Sequence, residues 1–431
     1  MKRFYAVLVN TLIANVTTSY LWFSLTFWLY LETKSVLATS IVGGTYMLFV
    51  AVSALFFGTL VDKYKKKRVM VWSSLVSMVA YALAGGLYLV VGQGQLVHLS
   101  SPILWLFAGI ILVGAVVENI RNIALSTVVT ILVPKNNRDK ANGLIGSVSG
   151  VAFLVTSVLS GLSIGYLGLG WTLAIAISLT VISLLHLLTV AIPEKTIVHD
   201  QELADKHIDI RGAIRIISTI PGLWALMLFA VFNNLIGGVF MSLMDPYGLT
   251  LFNVQTWGVM LAITSVGFIV GGLVVAKMGL GKKPLRTLLL MNIMVALVGM
   301  IFTIREVALL YVVGIFVYMC FIPAAQAAEQ VILQRIVPLP RQGRVFGFKQ
   351  SLEALASPAT AFVIGPLAQF AVIPYMRGKG MDDFGWLLGS GHMRGIALIF
   401  VSASLIMLVI SFLAFRTRSY HTIAKEYDNA G

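Results

Sequence analysis

Residues 58–68 read Gly-Thr-Leu-Val-Asp-Lys-Tyr-Lys-Lys-Lys-Arg. An apolar run over 40–61 leads into this stretch, and a second over 69–91 leaves it. Each run is long enough to cross the hydrocarbon core as a helix, which takes about 20 residues. Between them there is room only for a tight, strongly basic turn. The segment therefore reads as a helical hairpin in a membrane, with its turn held at one surface by cations.

The same alternation extends in both directions. Twelve apolar stretches follow one another, over 4–31, 40–61, 69–91, 102–133, 143–167, 171–192, 222–245, 255–276, 285–304, 307–335, 345–374 and 395–416. None alternates apolar with polar residues as a barrel strand would, so helices are the reading. The expected fold is an all-α membrane protein of twelve transmembrane helices in two six-helix bundles. Composition agrees. The 431 residues are 58% hydrophobic and 11% charged, with a mean hydropathy of +0.93. Soluble domains carry about 25% charged residues. An ordinary soluble enzyme, a disordered tail and a nucleic-acid binder are excluded, despite a net charge of +14.

That charge is mostly topology. Of the 31 Lys and Arg, 25 fall in loops that would share one side with both termini; five (Lys34, Arg305, Arg377, Lys379, Arg394) fall on the other, and Arg121 lies inside a span. Cytoplasmic loops carry such an excess, so both termini are expected in the cytoplasm. Met1-Lys2-Arg3 runs into the first span with no cleavage pattern, so that span is expected to stay as an anchor. A single Cys320 rules out a disulfide framework, and the six His show no metal spacing. No phosphate-cradling Gly-rich loop or nucleophile–base pair is present, so neither ATP drive nor catalysis is expected, and no cofactor.

The two halves echo each other. The turn after span 2 (Gly58 to Arg68) pairs with the turn after span 8 (Gly272 to Lys282). Val133-Pro134, Arg138-Asp139-Lys140, Gly143 and Ser147 recur as Val337-Pro338, Gln342-Gly343-Arg344, Gly347 and Ser351, all 204 residues later. Such a duplication marks transporters that work about a midplane site. The expected division is 1–192 and 222–416 for the two bundles, with a cytoplasmic linker at 193–221 and a cytoplasmic tail at 417–431.

The turn resembles the Gly-x-Leu-x-Asp-Arg-x-Gly-Arg-Arg signature of the major facilitator superfamily. Gly58, Leu60 and Asp62 match, and Lys63, Lys66 and Lys67 keep the basic positions. The cadence of 61–68 with 132–144 is similar to the macrolide-efflux-like branch of drug exporters. The resemblance implies a monomeric secondary transporter of the bacterial cytoplasmic membrane, with spans 1, 4, 7 and 10 lining its cavity. It implies that Asp62 holds one conformation closed, with Lys67, Arg68, Arg344 and Glu353 in the same gate. The branch's antiporter pattern is altered in span 5, where Ala152, Thr156, Ser157, Ser160 and Gly161 stand and its proline has no counterpart.

Physical reasoning adds the candidates for coupling. Glu118 and Arg121 sit three apart in span 4, on one helix face. Charges at that depth cost at least about 2.5–3.5 kcal/mol to insert, so they face the interior and mark a functional path. Two readings stand: a carboxylate that carries a proton or a substrate cation beside its counter-ion, or an ion pair that braces helix packing. Glu329 in span 10, beside Gln326, is the candidate counterpart in the second half, a gate salt bridge with Arg335 or Arg344 being the other reading. Asp245, followed by Pro246, reads as the end of span 7. Asn15, Ser19 and Trp22 in span 1, Asn119 and Asn122 in span 4, and Asn233, Asn234 and Phe240 in span 7 complete a pocket for an amphipathic molecule. The expected activity is export of a lipophilic, macrolide-like compound in exchange for protons. Export or flipping of an endogenous metabolite such as a siderophore or lysolipid, or a channel- or receptor-like role, are the alternatives. Expected partners are the small-molecule substrate, protons and membrane lipid, not nucleic acid.

Overall fold

The computed structural model describes residues 2–33, 36–96, 98, 100–194, 210–252, 254–391 and 394–430. Lys34, His392 and 195–209 of the linker lie outside this set, as do the side chains of Ser157 and Asp245. Among the described residues nearly all are helical and none lies in a strand. Twelve long helices follow in order: α1 Lys2–Thr33, α2 Val36–Lys63, α3 Lys66–Val91, α4 Pro102–Leu132, α5 Arg138–Leu162, α6 Gly168–Thr189, α7 Leu223–Leu251, α8 Val254–Met278, α9 Pro284–Ile301, α10 Ala308–Ile336, α11 Gln342–Leu367 and α12 Arg394–Arg416. A helix satisfies its own backbone groups, which is what a chain with no water around it requires.

Helices α5 and α6 are joined without a loop, in one apolar helical stretch of 55 residues, Lys135–Thr189. As a single helix it would be about 80 Å long, far beyond a bilayer. A π-helical turn over Ser163–Leu167 and a left-handed Gly168 (φ 75°) turn the chain back. Hydrogen bonds to α1 fix the directions. Thr156 and Ser160 of α5 donate to the carbonyls of Val16 and Tyr20, so α5 runs parallel to α1. Asn10 and Tyr20 of α1 donate to the Ser183 carbonyl and the Ser163 hydroxyl, so α6 runs antiparallel to it. The second half repeats the device: α11 passes into a π-helical turn at Ala368–Val372, 205 residues after the first.

One expectation changes. Helix α7 does not end at Asp245 but continues through Pro246 to Leu251, since the proline removes one backbone bond and its neighbours keep theirs. The tail carries a helix of its own. Arg418–Asn429 is a helix capped by Thr417, whose hydroxyl accepts from the Tyr420 amide. Its Ile423 is buried beside Gly222, and Tyr427 lies 4.1 Å beneath the Arg335 guanidinium.

The chain forms two compact units, and each takes a piece from the other half of the sequence. Met1–Arg138, Val151–Ile216 and Val337–Ser351 make the first; Asp139–Gly150, Ile217–Ile336 and Leu352–Gly431 make the second. The exchanged pieces are the beginnings of α11 and α5, the segments that repeat at a spacing of 204. In the first unit the start of α11 crosses the end of α2 through Gly58, Gly343 and Gly347, so closely that a methyl group on Gly347 would strike the Ala54 carbonyl. In the second unit the start of α5 crosses the end of α8 through Gly143 and Gly272, where Ser147 donates to the Ile269 carbonyl at 3.2 Å. Small residues at these points let backbones touch.

The second unit also holds an aromatic core. Phe240 stacks on Phe400, with centroids 4.9 Å apart and planes 3° apart, and meets Tyr318 at 5.2 Å. Arg394, placed in an exterior loop by sequence, is buried. It pairs with Glu306 at 3.0 Å, donates to the carbonyls of Thr303 and Leu388, and reaches the Tyr247 hydroxyl. Gly347→Ala is expected to cost about 1–3 kcal/mol through overpacking. Gly86→Ala, where a methyl group meets nothing within 4 Å, is expected to leave the midpoint unchanged or raised. Thermal unfolding in detergent checks both.

Candidate functional site

Helix α4 tightens at Asn119. The Asn119 amide donates to the Val116 carbonyl and its own carbonyl accepts from the Asn122 amide, both at 3.1 Å and both three residues apart. Short 3₁₀ stretches inside long helices recur at functional positions. Glu118 and Arg121 flank this turn, 8% and 4% exposed.

Both oxygens of the Glu118 carboxylate are engaged. Oε1 lies 3.3 Å from Arg121 Nε, and Oε2 accepts from the hydroxyls of Ser73 and Ser77 on α3 at 3.1 Å each. Arg121 donates from Nη1 to Ser74 Oγ at 2.6 Å and from Nη2 to the Asn10 side-chain oxygen. Asn10 in turn donates to the Ser183 carbonyl of α6 at 2.7 Å. One buried network thus links α1, α3, α4 and α6 within the first unit. A charge in low dielectric survives only when paired and hydrogen-bonded, and both conditions hold.

Beside it is a smaller polar and aromatic group. Asn119 Nδ2 donates to the Tyr46 hydroxyl at 3.1 Å, and Trp22 stacks on Tyr46 with centroids 4.5 Å apart. Asn15 and Ser19 are half-buried on α1, and Asn122 is exposed on α4. In the second unit Asn233 and Asn234 are half-buried, and Asn234 donates to the Ala230 carbonyl. Phe240 belongs to the aromatic core. Gln326 is exposed, Glu329 is buried on α10 and Glu353 is half-buried on α11.

Asp62 ends α2 in contact with the first turn of α11. Oδ1 accepts from the Gly343 amide at 2.6 Å, and Oδ2 from the Arg344 amide at 2.9 Å and the Arg344 Nε at 3.3 Å. The carboxylate satisfies free amides at a helix N-terminus, where the helix dipole favours negative charge. Lys67 donates to the Leu188 carbonyl at 2.8 Å, a cation at the last turn of α6. Arg68 is exposed.

Sequence reasoning missed Asp139. Its Oδ2 accepts from the Leu280 amide at 3.0 Å, just past α8, in the second unit's crossing. Asp139 is the repeat equivalent of Gly343, and Ala276 that of Asp62. The carboxylate has moved to the opposite partner of the crossing, and a search for a second Asp at the Asp62 position finds nothing. Asn142 Nδ2 also donates to Gln334 Oε1 at 2.9 Å in this crossing. Ser73, Ser74, Ser77 and Asn10 were likewise unmarked, although the 73/77 spacing already put two hydroxyls on one face of α3.

Removing one member of the Glu118–Arg121 pair leaves the other buried and charged. Arg121→Met is expected to cost about 3–5 kcal/mol, and adding Glu118→Gln to that variant is expected to restore part of the loss. Unfolding of both variants in mixed micelles measures the difference.

Residues 7–361 match the Major Facilitator Superfamily. Macrolide efflux protein A of Streptococcus pyogenes is 23% identical over 366 residues, covering 83% of this chain and 87% of that protein. The protein of the same name from Enterococcus faecalis is 24% identical over 313 residues, covering 70% and 92%. Among solved structures, a bacterial homologue of the iron transporter ferroportin in an outward-facing state superposes with a TM-score of 0.70 at 14% identity, over 97% of this chain and 100% of that one. The human organic anion transporter MFSD10 superposes at 0.68, also at 14% identity, over 95% and 99%. With twelve long helices among the described residues, a repeated pair of crossings and a family match over most of its length, this multi-pass membrane protein belongs to the major facilitator superfamily.

Proposed function

We propose that the protein is a secondary active transporter of the bacterial cytoplasmic membrane that exports a lipophilic or amphipathic, macrolide-like compound in exchange for protons. The observation that carries this reading is the buried Glu118 at the tightened turn of α4, held by groups that respond differently to a proton. Ionised, the carboxylate pairs with Arg121 and accepts from two serines. Protonated, it becomes a donor, its attraction for Arg121 falls, and the guanidinium keeps Ser74 and Asn10. Loading a proton therefore weakens the pair within α4 and the charge-assisted bonds from Ser73 and Ser77, while Arg121 still ties α4 to α3 through Ser74 and to α1 through Asn10. Substrate and proton compete for the carboxylates at Glu118 and Glu329, so taking up one releases the other.

The crossings supply the conformational side of the cycle. Asp62 on the α11 N-terminus and Asp139 on the Leu280 amide are short-range contacts that must break for the segments they join to separate. They lie beside the loops that carry most of the Lys and Arg, which places them at the cytoplasmic face when both termini are inside. In this reading the two contacts close that face and their release opens it, giving alternating access. The family membership and the macrolide-efflux relatives support the substrate class.

Uptake into proteoliposomes under an imposed pH gradient tests the coupling. Glu118→Gln with Glu329→Gln is expected to abolish proton-driven accumulation of a macrolide while leaving counterflow exchange measurable; full coupling in the double variant would remove these residues from the mechanism. Asp62→Asn removes the charge but keeps an acceptor. It is expected to slow transport at least tenfold with substrate binding unchanged, read by uptake rate against equilibrium binding.

A further inference from the structure

Within the first unit, α2, α3 and α4 surround a hollow of about 500 Å³ that the coupling network does not fill. This is inside the range of about 300–1,000 Å³ typical of small-molecule sites. Its walls are apolar, with Phe56 and Leu60 from α2, Trp72 and Val76 from α3, and Val117 and Ile120 from α4. Walls of this kind give water too few partners to be held there. Phe56, Trp72 and Val76 are also 37%, 59% and 40% exposed, so the hollow is open on the outer face of α2 and α3. At membrane depth the medium on that face is lipid.

The polar groups are not scattered. Arg68 and Tyr64 lie at the end next to the α2–α3 turn, and both are exposed. Along α3, Arg68, Trp72 and Val76 follow at four-residue spacing on one face. Along the helix axis the backbone rises about 12 Å from Arg68 to Val76. A cation, an aromatic ring at the interface and an aliphatic wall, in that order, match an anionic headgroup, the glycerol region and an acyl chain. Arg binds phosphate through two parallel hydrogen bonds, which a single ammonium does not. Lys65 and Lys67 flank the same turn, so a cationic amphiphile would meet like charge at the mouth.

We propose that this hollow is a lipid site that takes one acyl chain of an anionic phospholipid, with the phosphate on Arg68. The inner wall gives the site its consequence. Ser73 lines the hollow and donates to Glu118 Oε2, so the occupying chain lies against a residue that holds the buried carboxylate.

Trp72 is the reporter. The protein is reconstituted in phosphatidylcholine vesicles containing a minor fraction of lipid brominated on its acyl chains, either phosphatidylglycerol or phosphatidylcholine. Emission of a Trp72→Phe variant is subtracted to isolate the signal of Trp72. Brominated phosphatidylglycerol is expected to quench it at a lower mole fraction than brominated phosphatidylcholine. Arg68→Gln is expected to weaken the phosphatidylglycerol effect about fivefold without changing the phosphatidylcholine effect. Val76→Phe, which fills the hollow, is expected to remove the difference between the lipids. Native mass spectrometry provides a second readout: one phosphatidylglycerol retained per wild-type chain and lost in Arg68→Gln. Equal quenching by both lipids, unchanged in Arg68→Gln, would mean ordinary contact with bulk bilayer and overturn the proposal. Displacement of phosphatidylglycerol by tetraphenylphosphonium would overturn it too, because a mouth lined by Arg68 and flanked by Lys65 and Lys67 repels cations. The measurements read lipid contact alone, so they stand or fall separately from the transport cycle.

Discussion

A charge placed inside a bilayer has no water to turn to, so its partners must come from the protein. Glu118 and Arg121 meet this constraint together, and the way they do so organises the first unit. The pair needs hydroxyls from α3 and an amide from α1, and that amide needs a carbonyl from α6. Four helices are thereby held in one register by groups that lipid cannot replace. Apolar packing contributes less specificity in a membrane, because a leucine side chain and a lipid tail are nearly equivalent neighbours. Polar contacts decide which helices meet and at what height.

The same constraint explains the two crossings. A helix N-terminus leaves amides without partners, and at the start of α11 those amides meet the Asp62 carboxylate in a buried position. The glycines at 58, 343 and 347 are the condition for that contact, because any side chain would hold the backbones apart. The second crossing keeps the glycines, at 143 and 272, but carries its acid on the other partner, as Asp139. A duplicated fold has preserved the close approach and let the charge migrate across it. Both crossings join pieces that are distant in sequence through short polar bonds, which can form and break at modest cost, rather than through a broad apolar interface.

The coupling network and the hollow between α2, α3 and α4 share Ser73. One side of that residue holds a buried carboxylate, and the other faces a space shaped for an acyl chain. The bilayer would then be more than a solvent for this protein, because a lipid could bear on the ionisable centre through a single hydroxyl.

The twelve spans, the repeat and the family were legible in the sequence because they rest on period and composition. Runs of about twenty apolar residues can only be helices in lipid, and cations collect on one side of the membrane. The i,i+3 spacing of Glu118 and Arg121 likewise announced a pair. What the sequence could not show was which neighbours complete each polar group. Ser73, Ser77 and Asn10 look like ordinary small polar residues until tertiary packing brings them within hydrogen-bonding distance of a charge. Arg394 looked like a loop cation until folding buried it against Glu306. Helix α7 ran through Pro246, because losing one backbone bond leaves those of the neighbouring turns intact. Local pattern determines where helices lie, since backbone satisfaction is a property of each segment alone. Only the tertiary structure decides which side chains satisfy one another, since those partners lie tens to hundreds of residues apart.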